Sequence, residues 1–359
     1  MYRLVLLSRA TYALMWFYLA PVLPVMLREL GVSPGEAGLL PAVFIVGAAV
    51  MQIPASVMGA RLGHDKAAGV GMVLFGLSST LLASAKTWHE ALFYRALGGV
   101  GAGLFFSTGG AVLIALRTRP VGTALGWYNA SFNIGGFLGY YWGYVADLVG
   151  WRLALAGPGL ASAILGALLL RGPGVKTAMS VEWRAVAMGL ASFPFWGAVY
   201  AANSLTATWL HLYRGVGEEA AGVLSSTAMI SGFFTGWIGK VYDVAQRRVV
   251  VVAPVVASLA YLAMPFLPAP AAPALVFLYG FSFSIYITSI YAAASKKSEN
   301  PASALAVINV TNMALGLHVS YVFTRLMEAA PAYPWALLST LAMASATTSY
   351  ILINRVKIY

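Results

Sequence analysis

The chain is 359 residues long, 60% hydrophobic and only 9% charged. Its mean hydropathy is +0.80. This excludes a soluble globular protein, in which about a quarter of residues carry charge. It contains no cysteine, which excludes disulfides, thiolate nucleophiles and cysteine metal sites. The formal net charge of +11 could signal nucleic acid, but Lys and Arg fall in short connections between apolar runs. The charge therefore reads as membrane topology, and no nucleic-acid partner is expected.

In chain order the sequence divides into apolar runs near 4–27, 37–60, 67–86, 91–116, 121–146, 152–170, 184–210, 219–240, 248–268, 272–294, 302–326 and 333–354. Each is close to the ~20 residues that cross a bilayer. Arg3 and Arg9 ahead of the first run would suit a cleaved signal sequence. Pro21 and Pro24, followed by Val25-Met26-Leu27 with no small-residue cleavage pattern, favour a retained, kinked span. The fourth run carries Arg95 and, four residues apart, Gly99 and Gly103. Lipid does not solvate a guanidinium, so Arg95 must face protein or a wet cavity, and the two glycines offer one face to a close neighbour.

The segment Arg171-Gly172-Pro173-Gly174-Val175-Lys176-Thr177 belongs to no apolar run. It predicts a boundary between a bundle at 1–172 and one at 184–359, joined by a linker at 173–183. The halves resemble each other: Gly31-Val32 and Ala37-Gly38-Leu39-Leu40 recur at the same spacing as Gly215-Val216 and Ala221-Gly222-Val223-Leu224. Sixteen of the 22 basic residues, Arg9 among them, count to one side of the membrane and five to the other. The positive-inside rule then predicts cytoplasmic N and C termini.

Two motifs carry a family resemblance. After the eighth run, Gly239-Lys240-Val241-Tyr242-Asp243-Val244-Ala245-Gln246-Arg247-Arg248 is a glycine, an acid four residues on and a basic pair. In the fourth run, Arg95, Gly99, Gly101, Ala102 and Gly103 give Arg-x-x-x-Gly-x-Gly-small-small. With the two-half organisation, these resemble the major facilitator superfamily of secondary transporters. The resemblance implies an all-α membrane protein of about 12 transmembrane helices in two six-helix bundles, working by alternating access. The matching loop after the second run keeps Gly59 but has Gly63 where the acid belongs, with Asp65 and Lys66 nearby. Gly59, Asp65, Gly239, Asp243, Arg247 and Arg248 are thus candidates for a gating clasp, the acid gripping a neighbouring helix end. The fifth run lacks the Gly-Pro that proton-exchanging members often carry.

Polar residues inside apolar runs must find a partner or a ligand. Those buried by position are Gln52, Arg95, Asn129, Asn133, Asn203, Asn309, Asn312 and His318. The family habit of lining the cavity with the first, fourth, seventh and tenth spans singles out Tyr12, Trp16, Arg95, Tyr200, Asn203 and Tyr286, with Asn309 and Asn312 as further contacts. One intramembrane cation without an intramembrane carboxylate predicts a positive cavity and an organic or inorganic anion as substrate. His318 and Asp147 are the candidate proton-coupling groups, for symport or uniport in the cytoplasmic membrane; Asp147 could instead pair with Arg152. A proton-coupled drug efflux antiporter is the alternative. Channel and enzyme readings are weaker, since no metal-ligand cluster and no Ser/His/Asp set lies in the runs. No cofactor or metal is expected, and a monomer is the family habit.

Overall fold

A computed structural model describes residues 1–116, 121–176, 182–297 and 301–353; the side chains of 233–247 and of a few residues beside the gaps lie outside the description. Among the described residues the regular structure is helical. Two compact units emerge: Met1–Ser33 with Leu39–Met179, and Pro34–Gly38 with Ser180–Tyr359.

The first unit contains α1 (Tyr2–Phe17), α2 (Leu19–Leu30), α3 (Leu39–Leu62), α4 (His64–Ala83), α5 (Trp88–Ala115), α6 (Val121–Tyr140), α7 (Trp142–Val149) and α8 (Trp151–Leu169). The first apolar run is split at Tyr18. Pro21 has no N–H for the Phe17 carbonyl, and Pro24 lies inside α2, so the ladder cannot run straight through. Glycines set the packing of α5. A Cβ on Gly99 would collide with the Phe44 carbonyl and one on Gly103 with the Ala48 carbonyl, both on α3. Gly101 meets the α4 backbone at Gly71 and Phe75 instead. The expected close helix approach is therefore present, and it works on two faces.

The second unit contains α9 (Trp183–Arg214), α10 (Glu218–Ile230), α11 (Thr235–Ala263), α12 (Ala272–Lys297), α13 (Pro301–Gly316), α14 (Val319–Ala329) and α15 (Tyr333–Ile351). The Gly-Val repeat acquires a structural meaning here. Gly31 (φ 66°) ends α2 and Gly215 (φ 63°) ends α9, each in the left-handed region that closes a helix without a Cβ penalty. The next residues, Val32 and Val216, then donate back to Leu27 and Leu210. The first helical segment of each half thus stops by the same device.

One expectation is corrected. The stretch containing Gly239–Arg248 is helical, the first part of α11, rather than a loop. After Gly239 it holds neither Pro nor Gly before Pro254, so nothing in it interrupts a helix. Eight helical segments among the described residues are long and apolar enough to cross a membrane.

Candidate functional site

In the first unit, α1 is the element around which the aromatic interior assembles. Tyr12 lies 5.3 Å from Trp16, 5.7 Å from Phe75 and 5.1 Å from Phe105, ring centre to ring centre. Trp16 packs edge-on against Phe44 at 4.8 Å and reaches Phe106 at 6.1 Å and Phe132 at 6.4 Å. Tyr12 and Trp16 are one turn apart and share a face, so α3, α4, α5 and α6 all contribute rings to one cluster. Such tilted and edge contacts each add about 0.5–1.5 kcal/mol beyond area burial.

Arg95 is buried beside this cluster. Its guanidinium lies 3.9 Å from the ring centre of Phe44. Nη1 donates to the Met15 carbonyl and Nη2 to the Trp16 carbonyl, both at 3.4 Å. These carbonyls belong to the last turn of α1, just where the ladder breaks ahead of Pro21. The cation therefore satisfies acceptors that the kink releases.

The second unit shows a matching arrangement around α9. Pro194 removes one backbone donor there. The Phe195 N–H turns to Ser345 Oγ at 3.0 Å, while the Ala191 carbonyl accepts from Tyr286 (3.2 Å) and Thr348 (3.3 Å). Tyr286 also shares a bond with Ser349 at 3.0 Å and is fully buried. Tyr200 stacks on Trp196 at 5.4 Å with the planes 8° apart, and Asn203 is buried less than a full turn beyond. Asn312 Oδ1 accepts from Ser192 at 2.7 Å while its Nδ2 has no acceptor, and Asn309 accepts from Tyr291.

Other expected site residues fall elsewhere. His318 lies within the candidate span Ser303–Ala329, as expected, but at the break between α13 and α14, where its side chain is exposed and makes no capping bond. Asn129 is exposed as well. Asp147 is exposed at the end of α7. Arg152 pairs with Glu29 at 2.8 Å, and Glu29 also accepts from the Trp151 indole. Asp65 is fully buried, with Oδ2 accepting from Gly174 N–H (2.8 Å) and Oδ1 from Val175 N–H (3.0 Å). Its neighbours reinforce this hold. The His64 N–H donates to the Val175 carbonyl at 2.6 Å, and Lys66 caps the carbonyl of Leu170. Asp65 thus grips the start of the linker. Gly59 leaves room for the His64 ring. The side chains of Asp243 and Arg247, and Gly239 with them, lie outside the described residues; Arg248 is exposed.

One residue was misplaced by counting charges. Arg9, assigned to the membrane surface, is 6% exposed inside α1. Its guanidinium faces the rings of Tyr12, Phe106, Tyr128 and Phe132. The signal was present in the spacing: Arg9 and Tyr12 lie three apart, on the helix face that also carries Trp16.

A helical membrane protein with two compact units, prolines inside its helices and polar groups buried between them has the features of a polytopic carrier. A sequence profile of the Major Facilitator Superfamily matches residues 5–320, and the chain belongs to that superfamily; it is a multi-pass membrane transporter, not an enzyme. Among curated relatives it is 27% identical over 120 residues to the quinolone resistance protein NorA of Staphylococcus aureus, covering 33% of this chain and 31% of that one. It is 25% identical over 137 residues to the multidrug efflux protein YfmO of Bacillus subtilis, covering 38% and 35%. The chain thus matches about a third of the length of these relatives. Among solved structures, a D-xylose-proton symporter superposes with a TM-score of 0.83 at 12% identity, covering 100% of this chain and 98% of that one. The nucleoside transporter NupG gives 0.77 at 16% identity, covering 98% of each. These two likenesses describe the fold.

Proposed function

We propose that the chain is a secondary exporter of amphipathic aromatic compounds, driven by exchange with protons. The observation that carries this reading is the ring cluster assembled on α1, in which Tyr12 and Trp16 meet Phe44, Phe75, Phe105, Phe106 and Phe132. Most of these rings are buried and Phe106 and Phe132 are partly accessible; aromatic faces of this kind suit flat apolar ligands of varied shape better than a sugar or an inorganic ion, both of which need several polar contacts. The partial similarity to two efflux proteins supports the same reading. On this view Arg95 ties α1 to α5 instead of anchoring substrate, because its Nη1 and Nη2 already serve carbonyls of α1. His318, exposed at the helix break, is the proposed proton carrier, with Asp147 the second candidate. Twelve spans, two six-helix halves that alternate access, cytoplasmic termini, a cytoplasmic-membrane location and a monomer complete the proposal.

The test is transport in proteoliposomes with an imposed pH gradient, following ethidium and 8-anilinonaphthalene-1-sulfonate by fluorescence. Gradient-driven movement of at least one dye is expected, with Trp16→Ala slowing it about threefold to tenfold through loss of one ring contact. A protein that moves neither dye under any gradient overturns the reading.

A further inference from the structure

Arg9 is the residue that the fold of the first unit leaves unexplained. Its guanidinium carbon lies 4.3 Å from the ring centre of Tyr128, 4.4 Å from Phe132, 5.1 Å from Tyr12 and 5.2 Å from Phe106. Nε and Nη1 are buried and meet no acceptor. Among the described residues no carboxylate of this unit forms an ion pair with Arg9. Glu29 holds Arg152 and Trp151, Asp65 holds the linker, Glu90 accepts from the Lys86 N–H, and Asp147 is exposed at the end of α7.

Aromatic faces attract a cation, but they give nothing to the N–H donors that lie in the guanidinium plane. Arg95 shows the contrast within the same unit: it has a ring face and two carbonyl acceptors as well. A buried guanidinium with π contacts alone is poised for an oxyanion, which supplies the missing acceptors and the missing charge. Tyr12 and Tyr128 are buried, whereas Phe106 and Phe132 are partly accessible and form a rim on which a ligand ring can lie.

We propose that Arg9, with Tyr12, Phe106, Tyr128 and Phe132, forms a binding site for an aromatic carboxylate, the carboxylate accepting from Nε and Nη1 while the aromatic body packs on Phe106 and Phe132. Binding at this site is independent of transport. Its role as the anchor of the exported molecule rests on the export reading above, and it narrows that reading to aromatic compounds bearing an acidic group.

The experiment is a titration of the full-length protein in detergent, read by thermal shift and tryptophan fluorescence, with 1-naphthoate, its neutral isostere 1-naphthamide, and acetate. In the wild type, naphthoate is expected to bind at least about tenfold tighter than naphthamide, the value of one charge-assisted hydrogen bond, and tighter than acetate, which lacks the ring. Arg9→Gln should abolish the preference for naphthoate over naphthamide, and Arg9→Lys should retain part of it. The wild-type comparison needs no variant: equal affinity for naphthoate and naphthamide overturns the site, as does a preference that survives in Arg9→Gln, or acetate binding as well as naphthoate. If naphthoate fails to bind while the dyes are still exported, the site falls and the export reading stands. If naphthoate binds but neither dye moves, the export reading falls and the site stands.

Discussion

The first long helical run of each unit carries proline, splitting α1 from α2 in the first unit and lying inside the continuous α9 in the second, and the two units satisfy the backbone groups freed there with different chemistry. In the first, the carbonyls of Met15 and Trp16 are taken by a cation, Arg95, reaching across from α5. In the second, the Ala191 carbonyl and the Phe195 N–H are served by the hydroxyls of Tyr286, Thr348 and Ser345 from α12 and α15. The difference teaches how to read polar residues in a membrane interior. A hydroxyl group can hide within a helix by bonding its own backbone, so losing it costs little, whereas a guanidinium has no such retreat. The first unit is thus committed to its tie and the second holds its own by several weak bonds. What neither repair consumes is Arg9.

The sharpest way to break the comparison is at Arg95. Arg95→Gln should lower unfolding stability by about 2–4 kcal/mol, because it removes a charged donor from two buried carbonyls and from the Phe44 ring. The check is a thermal melt in detergent, run beside Arg9→Gln, whose loss should be far smaller because no hydrogen bond goes with it. Equal losses would mean that the two cations are held alike. Next comes Asp65. Asp65→Asn keeps one acceptor for the linker amides and turns the other into a donor, at a cost of about 1–2 kcal/mol. The chain after Gly172 should then be cut faster by trypsin at Lys176, while an unchanged cleavage rate would mean that other contacts secure the linker.

How much of this was legible beforehand depends on whether the cause is local. Gly31 and Gly215 end helices because a left-handed residue followed by Val is a local device, so the internal repeat pointed to real caps. Gly99 and Gly103 were legible for the same reason, since four residues always bring two side chains onto one helical face. Arg95 was rightly placed inside, but its partners are the carbonyls of residues 80 and 79 positions away, released by a kink whose direction no sequence pattern states. Arg9 was misread because counting charges by side assumes that a cation near a span's end reaches water. The four rings that enclose it come from three helices, and α6 supplies two of them. Asp65 was expected to clasp a helix end and instead grips the backbone at Gly174 and Val175, a partner that only the return of α8 beside α4 brings near.

The hydroxyl repair of the second unit supplies the smallest effects, and they separate its parts. Ser345→Ala removes the acceptor that the buried Phe195 N–H uses beside Pro194; the expected loss is about 1 kcal/mol. Tyr286→Phe should cost less, about 0.6 kcal/mol, the average for an interhelical hydrogen bond in a membrane protein. The Ala191 carbonyl still receives Thr348 after that change, and Ser349 loses only one shared bond. A melt of Tyr286→Phe made alone and with Thr348→Val checks the idea of shared duty. The double variant should lose more than the sum of the singles, because only then is the Ala191 carbonyl left with no side-chain donor. Strict additivity would mean that the two hydroxyls do not share that carbonyl, and the likeness between the two proline repairs would then rest on Ser345 alone.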